Sequence, residues 1–259
     1  MSRIKDVFSR GKAFIPFITA GDPNLEITGE LIPAMAQAGA DLIEIGIPFS
    51  DPVAEGIVIQ KADERALASG TTTEKIFELL TGVRKKTSIP LAFMTYINPV
   101  FVYGIERFLD RAAACGIDAV IVPDLPFEEK GELLPHCRAC GIDLISLIAP
   151  TSRERISVIA AEAQGFVYCV SSLGVTGVRS EITTDIREMV SLVKATKDIP
   201  CAIGFGIATP DQARSMAAHA DGVIVGSAIV KMAEQYGPAC VKPVTDYVRQ
   251  LKEAISGSK

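Results

Sequence analysis

The most regular feature of this sequence is a recurring order of polar and hydrophobic positions. In each unit a helical pattern ends at glycine or another small residue, an aspartate follows, and a short apolar run rich in β-branched residues comes next. Four units contain this aspartate, and they are those of Asp41, Asp118, Asp143 and Asp221. Glycine suits the left-handed residue that closes a helix, and a continuous apolar run is typical of a strand buried on both faces.

The same pattern, followed along the whole chain, predicts eight strands separated by helices. They lie at residues 14–19, 42–46, 90–96, 119–122, 144–148, 166–170, 200–204 and 222–226. Strict alternation of strand and helix implies parallel strands, and eight such units in about 250 residues are typical of a TIM barrel. We therefore predict an α/β fold, a single-domain (β/α)8 TIM barrel over residues 1–259. A doubly wound open sheet is the alternative.

Composition and charge exclude several classes of protein. Of the 259 residues, 48% are hydrophobic, which is enough for a large core, and the formal net charge is −5. Nucleic-acid binding needs concentrated Lys and Arg, whereas here the basic residues are scattered. The N-terminus lacks the apolar core of a signal peptide, and no run approaches the roughly 18 apolar residues of a membrane span. We expect a cytoplasmic protein that binds neither nucleic acid nor membrane.

The cysteines and histidines do not indicate a metal site. Six cysteines in a chain without a signal peptide are expected to stay reduced. His136, Cys137 and Cys140 lie close together, but no second cysteine pair follows at zinc spacing, and the segment ends a predicted helix at Gly141. We expect no bound metal.

Glu44 is the leading candidate for chemistry because it lies inside the second predicted strand. The active site of a TIM barrel lies at the C-terminal ends of its strands. Burial of a carboxyl group among apolar residues raises its pKa toward neutrality, which suits a general acid or base. The alternative is a core carboxylate that backbone donors satisfy.

Further candidates lie close to other strand ends. The loop at residues 47–56 carries Asp51 and Glu55, and it could bring Glu55 over the same pocket as Glu44, unless it is a solvated loop. Tyr96 and Tyr168 are the phenols near strand ends, and core or rim packing is their alternative role.

Glycines at three successive strand ends favour a phosphate site. They occur at residues 174–177 (GVTG), 204–206 (GFG) and 226–227 (GS). Glycine lets the backbone N–H groups approach an anion closely, and TIM barrels commonly bind phosphate after strands seven and eight. No lysine lies on or at the end of a predicted strand, and both histidines lie in predicted helices, so a Schiff-base mechanism and a histidine triad are disfavoured.

At these motifs the sequence resembles the α subunit of tryptophan synthase along essentially its whole length. The segment with the most specific match is residues 44–52 (EIGIPFSDP). The other matching segments are residues 16–23 (PFITAGDP), 94–99 (MTYINP), 123–126 (PDLP), 174–177, 204–206 and 225–228 (VGSA).

The resemblance implies a lyase that cleaves indole-3-glycerol phosphate to indole and glyceraldehyde 3-phosphate. It places the acid–base group at Glu44, the carboxylate that contacts the indole N–H at Glu55, and the active-site tyrosine at Tyr168. The residues implied to bind the rest of the substrate are Phe17, Met94 and Tyr96 around the indole, and Gly177, Phe205, Gly206, Gly226 and Ser227 around the phosphate.

The resemblance also implies a partner. Asp51 would lie in the loop that faces a β subunit, to which indole is passed in an α2β2 heterotetramer. The pyridoxal phosphate cofactor would belong to that β subunit, with no cofactor in this chain.

Two departures from the family pattern support a second hypothesis. The family usually has Ala-Asp-Gly-Pro where this chain has Ala54, Glu55, Gly56 and Ile57, and it often has Arg where residues 171–173 are SSL. The extra methylene of Glu55 must be accommodated by the loop, and the lid expected after the sixth strand could pack differently. The alternative function is therefore a weakly active barrel that mainly binds ligand and activates the β subunit. A third hypothesis, another phosphate-binding barrel enzyme, lacks the strand-end lysine or Cys/Asp pair that it would need.

Overall fold

A computed structural model describes residues 3–170, 186–204 and 206–257, apart from the side chain of Arg153. Within these residues parallel strands form one sheet. The strands are β1 (Ala13–Thr19), β2 (Ile43–Gly46), β3 (Leu91–Met94), β4 (Ala119–Ile121), β5 (Asp143–Leu144), β6 (Ser146–Ile148), β7 (Val167–Val170), β8 (Cys201–Gly204) and β9 (Gly222–Val225).

The sheet closes into a barrel at Ile145. The strand order is β5-β4-β3-β2-β1-β9-β8-β7-β6, so the two outermost strands are consecutive in the chain. The fifth predicted strand, residues 144–148, is therefore divided, with β5 paired to β4 and β6 paired to β7. Between them the N–H of Ile145 donates to the carbonyl of Val120 at 3.0 Å. The predicted TIM-barrel fold is confirmed, and the division marks the point where the fifth strand changes neighbours.

Helices surround the barrel, as the alternating pattern predicts. They are α1 (Ile4–Val7), α2 (Leu25–Gln37), α3 (Ile57–Ala68), α4 (Thr73–Val83), α5 (Ile97–Tyr103), α6 (Ile105–Ala114), α7 (Leu134–Cys140), α8 (Ile156–Glu162), α9 (Ile186–Thr196), α10 (Pro210–Ala217), α11 (Ser227–Tyr236) and α12 (Val241–Ser256). Short 3₁₀ helices occupy Phe127–Glu132, Pro150–Arg155 and Gly237–Ala239. None of the helices described combines the length and the apolar composition needed to cross a membrane.

Local sequence explains where several helices begin and end. The side chain of Asn24 accepts from the N–H of Ile27 and caps α2, and Thr72 caps α4 in the same way. At α10, Thr209 and Gln212 form a reciprocal capping box. Helix α7 ends at Gly141 in the left-handed conformation, with φ of 70°, so the predicted helix end is confirmed.

Alternate strand residues point into the barrel and fill it. The interior cluster includes Ile15, Leu42, Ala92 and Phe166, and α1 adds Ile4 to its lower end. The other residues of each strand pack outward against the helices, in the larger clusters of the core. Small interior residues such as Ala92 leave space toward the C-terminal ends of the strands, which is where the candidate residues lie.

The recurring aspartates fasten the N-terminal ends of the strands, which we call the barrel floor. The N–H of Asp41 donates to the carbonyl of Phe14 at 3.0 Å, and its carboxylate accepts from the N–H of Phe14 at 2.7 Å. Asp118 and Asp221 make the same two bonds to the first residues of β3 and β8. Each aspartate therefore joins its own unit to the neighbouring strand, which gives the sequence repeat a structural reason.

Each of these three carboxylates also binds a cation from another element. The pairs are Asp41 with Lys252 at 2.7 Å, Asp118 with Arg3 at 2.8 Å, and Asp221 with Lys194 at 2.8 Å. The negative charges of these carboxylates are thus neutralised by cations at the barrel floor. The floor lies at the opposite end of the barrel from the candidate site.

Candidate active site

Glu44 lies in the middle of β2, inside the barrel. It is opposite Phe17 on β1 and Ala92 on β3, and its side chain has no exposed surface. Neither carboxyl oxygen has a hydrogen-bond partner among the described residues, so backbone donors there do not satisfy it as a core carboxylate would require. Burial without compensation raises the pKa of Glu44 to about 8. The group is therefore a protonated acid at neutral pH that can also become a base.

Tyr168 lies inside the barrel near Glu44. It is the second residue of β7 rather than the last, and it is buried. Burial and the nearby Glu44 charge raise the pKa of its phenol well above the usual value, so the phenol stays neutral. A methyl group added at Gly204 would lie 2.4 Å from the Tyr168 hydroxyl, which shows that Gly204 leaves the space this ring occupies.

The loop after β2 folds inward and buries Glu55. Only 7% of Glu55 is exposed, and its Oε2 atom has no partner in the described part of the chain. The Glu55 carboxyl interacts with the phenol of Tyr96 and with the carboxyl of Asp63. Tyr96 follows the third strand, which ends at Met94 and not at residue 96, and it precedes the first residue of α5. The solvated-loop alternative is therefore wrong for Glu55.

Asp63 is a buried carboxyl group that the sequence analysis did not select. It lies on α3, is 4% exposed, and faces Glu55 while the backbone of Phe49 hydrogen-bonds to it. Burial, followed by the charge of Glu55, raises the pKa of Asp63. Its position on the helix was a usable signal, because Asp63 falls on the same face as the buried Ile59 and Ala66.

Phe17 and Met94 form one apolar wall of the site. They pack with Ile59 of α3 and Val230 of α11. A methyl group added at Gly46 would lie 2.6 Å from the Phe17 ring, so this glycine lets the ring lean across the end of β2. The structure thus brings together two of the three residues expected at the indole, and Phe17 lies opposite Glu44 in the sheet.

Part of the expected phosphate site is described. Gly206 has φ of 82°, a conformation that favours glycine. Gly226 precedes α11, which begins at Ser227. Gly177, Phe205 and the expected lid at residues 171–185 lie outside the described residues.

Asp51 and the remaining polar groups are separate from this pocket. Asp51 is exposed and accepts a hydrogen bond from the Ser50 hydroxyl at 2.5 Å.

All six cysteines are free thiols. Across the described ranges no three His, Cys, Asp or Glu side chains form a group that could hold a metal ion.

Comparison with known proteins identifies the family of this chain. The profile of the family described as Tryptophan synthase alpha chain matches residues 5–256. A tryptophan synthase alpha chain from Lacticaseibacillus casei is 47% identical over 262 residues, which cover all of this chain and 97% of that protein. The one from Lactiplantibacillus plantarum is 48% identical over 258 residues, which cover 99% of this chain and 97% of the relative. This chain belongs to the tryptophan synthase alpha chain family.

Solved alpha-chain structures agree with this assignment. The crystal structure of the alpha chain from Legionella pneumophila has a TM-score of 0.89 and 34% identity, with full coverage of both chains. A chain of the tryptophan synthase structure from Mycobacterium tuberculosis has a TM-score of 0.89 and 34% identity, with 98% of each chain covered. The family predicted from the sequence is confirmed, and so is the assignment to the carbon–carbon lyases of tryptophan biosynthesis.

Hydrogen bonds hold the loop after β2 close to the departures at residues 55 and 57. The N–H of Ala54 donates to the Tyr96 hydroxyl at 3.1 Å, and the side chain of Gln60 donates to the carbonyl of Glu55 at 2.7 Å. Helix α3 begins at Ile57. The preceding residue, Gly56, has a φ of −82°, so the turn does not need the left-handed conformation. These two hydrogen bonds therefore fix the backbone on both sides of Glu55.

Proposed function

We propose that Glu44 is the acid–base group with which this chain cleaves indole-3-glycerol phosphate. The observation behind this role is a fully buried carboxyl group whose two oxygens have no partner among the described residues. A pKa of about 8 makes Glu44 a proton donor at neutral pH.

The retro-aldol reaction needs one proton delivered and one removed. Glu44 donates its proton to indole C3, and the ring becomes an indolium cation. The resulting carboxylate then takes the proton from the hydroxyl on the adjacent side-chain carbon. As that hydroxyl becomes the aldehyde of glyceraldehyde 3-phosphate, the bond to C3 breaks, and its electron pair returns to the ring. One acid–base group with a pKa near neutrality suits both steps.

Glu55 and the aromatic residues complete the proposed indole site. Glu55 accepts the indole N–H and stabilises the positive charge on the ring, which its buried, unpartnered Oε2 supports. Phe17, Met94 and Tyr96 flank the ring. Tyr168, as a neutral phenol beside Glu44, orients the reacting side chain.

The phosphate group is proposed to bind at the start of α11 and the adjacent loops. Gly226 and Ser227 present backbone N–H groups there, no side chain caps this helix in the described structure, and its dipole favours an anion. Gly177, Phe205 and Gly206 would contribute further backbone N–H groups, as the family resemblance implies.

The proposed partner is a β subunit, in an α2β2 assembly, with pyridoxal phosphate on that subunit and none in this chain. Apolar side chains stand exposed on the segments that follow β2 and β3. They are Val53 at 72% in the loop that carries Asp51, Ile57 at 62% at the start of α3, and Val102 at 80% on α5. Such exposed apolar groups favour a protein interface. We further propose that residues 1–259 form one domain and that the protein is cytoplasmic.

The decisive test of the proposed activity is indole release from indole-3-glycerol phosphate, measured with and without a β subunit. We expect release by the wild-type chain in both conditions and none by Glu44→Gln, whose circular dichroism should match wild type. Turnover by Glu44→Gln at the wild-type rate contradicts the role of Glu44. Slow turnover in both conditions, with stimulation of the β subunit, favours the weakly active activator instead.

The partner surface has its own test with a matched control. Val102→Asp should weaken binding of the β subunit, because a charge replaces an exposed apolar contact at the proposed interface. Val158→Asp makes the same change on α8, where Val158 is 55% exposed, and should leave binding intact. Equal binding by both variants would place the β subunit elsewhere.

A further inference from the structure

Asp63 is buried in an environment that disfavours its charge. It is 4% exposed and contacts the 7% exposed Glu55 from α3, and the charge of Asp22 also raises its pKa. Asp22 is compensated separately, by two hydrogen bonds from Arg65 at 2.8 and 2.9 Å. The phenol of Tyr96 also hydrogen-bonds to Glu55. Among the groups described around Asp63, no cation balances the Glu55–Asp63 pair itself.

Two buried carboxyl groups in contact cannot both be ionised at neutral pH, because the repulsion is unscreened. The hydrogen bond between them requires one proton. Burial raises the pKa of both groups. The hydrogen bond adds to the rise for Asp63 and opposes it for Glu55, so the proton resides on Asp63 and Glu55 is the acceptor. The backbone of Phe49 holds the Asp63 carboxyl in place through a second hydrogen bond.

We propose that Asp63 is a positioning residue which, as a neutral carboxylic acid, donates a hydrogen bond to Glu55 and holds that carboxylate with its Oε2 atom free for the substrate N–H. This inference rests on the proposed role of Glu55. It extends that role by naming the group that fixes both the charge and the direction of the Glu55 side chain. A glutamate at position 55 has one more rotatable bond than the aspartate usual in the family. A hydrogen bond from Asp63 therefore restricts more side-chain freedom at Glu55 than it would at an aspartate.

Two ligands measure this role without turnover. Indole offers an N–H to Glu55, whereas 1-methylindole does not. The ratio of their dissociation constants reports the acceptor and is independent of proton transfer by Glu44. We expect wild type to prefer indole by about tenfold or more, the usual effect of a hydrogen bond to a charged group. The preference should decline at alkaline pH, as Asp63 loses its proton and repels Glu55.

Three variants separate the possible outcomes. Asp63→Asn keeps a donor but cannot ionise, so it should retain the preference and extend it to higher pH. Asp63→Leu removes the donor and should lose most of the preference. Glu64→Gln, an exposed charge change one residue along α3, should behave as wild type. Full preference in Asp63→Leu, or an alkaline decline in Asp63→Asn that equals the wild-type decline, overturns the proposal.

The same experiment distinguishes this proposal from the proposed function. Thermal unfolding of each variant shows whether Asp63→Leu is folded, and Asp63→Asn tests the proton independently if it is not. If wild type releases no indole from indole-3-glycerol phosphate, the cleavage function fails. If wild type is active but substitution of residue 63 does not change the preference for indole, only the role of Asp63 fails.

Discussion

The hydroxyl of Tyr96 accepts a hydrogen bond from the backbone N–H of Ala54 at 3.1 Å, and the same phenol interacts with the carboxyl of Glu55. One side chain therefore holds both the backbone of the loop after β2 and the charged group next to it. Because loss of a buried hydrogen bond costs about 1–3 kcal/mol, Tyr96→Phe should reduce indole release by about tenfold or more.

The control for Tyr96→Phe is the same substitution at the end of α5. The Tyr103 hydroxyl donates to Glu74 away from the pocket, so Tyr103→Phe should leave indole release unchanged. Steady-state assays of both variants make the comparison. An equal reduction in the two would show that Tyr96 acts only through general stability.

Gly204 leaves the space that the Tyr168 phenol occupies. In Gly204→Ala the new methyl group would lie 2.4 Å from the Tyr168 hydroxyl oxygen, which is far inside van der Waals contact. The ring must move, and we expect a loss of indole release of at least tenfold with the barrel still folded. Gly82→Ala is the control, because nothing lies within 4 Å of its added methyl group. There we expect normal activity and a gain of roughly 0.5–1 kcal/mol in the free energy of unfolding. Unchanged activity in Gly204→Ala contradicts the proposed position of Tyr168.

The raised pKa of Glu44 makes the stability of the protein depend on pH. The folded pKa of about 8 lies above the ordinary value of 4.5, so the folded state binds the proton more tightly than the unfolded state. Stability is therefore highest below pH 4.5, as far as this group is concerned, and falls as pH rises toward 8. Glu44→Gln removes this titration. The difference in unfolding free energy between variant and wild type should shift by about 2 kcal/mol in favour of the variant from pH 6 to pH 8.

Urea unfolding at both pH values measures this difference. Glu78→Gln changes an exposed glutamate on α4 and should show no such shift relative to wild type. A constant difference between Glu44→Gln and wild type would mean that Glu44 is not protonated in the folded barrel.

Asp118 connects the barrel floor to two arginines. It accepts from the N–H of Leu91 at 3.1 Å and binds Arg3 at 2.8 Å and Arg84 at 3.5 Å. Asp118→Ala leaves these donors without their acceptor, and we expect a loss of about 2–4 kcal/mol in the free energy of unfolding.

The control is an aspartate that also binds two cations but lies on the surface. Asp246 pairs with Lys242 and Arg249 on α12, and all three side chains are well exposed. Asp246→Ala should change the unfolding free energy by less than about 0.5 kcal/mol. Chemical denaturation of both variants decides whether burial, rather than the number of ion pairs, determines the effect.

Much of the barrel follows from the sequence because each strand is short, apolar and bounded by a helix end. The fifth strand is the exception in detail. Its nearly continuous apolar run predicts one strand, but hydropathy contains no information on the change of hydrogen-bonding neighbours at Ile145. Tyr96 shows a related limit, because the apolar pattern continues beyond Met94, where the strand ends.

The candidate site could be predicted where a charged residue interrupts an apolar strand, as Glu44 does, because burying a carboxylate is costly unless it has a role. Asp63 was not selected because an aspartate on a helix is usually solvated. The helical spacing indicates that it is buried, but its contact with Glu55, from a different element, is seen only in the structure. Gly204 was expected to serve a phosphate, whereas its close neighbour is the Tyr168 ring. Such a relation between adjacent strands depends on their register, which the sequence of either strand alone does not specify.

The ion pairs of the barrel floor can form only after the later-synthesised partner has left the ribosome. Lys252 is 211 residues beyond Asp41, so the ribosome exposes the carboxylate long before its ammonium partner. During that interval β1 can pair with β2, but Asp41 at their lower edge has no Lys252 to balance its charge. The nascent barrel therefore gains this last fastening only when α12 emerges and docks.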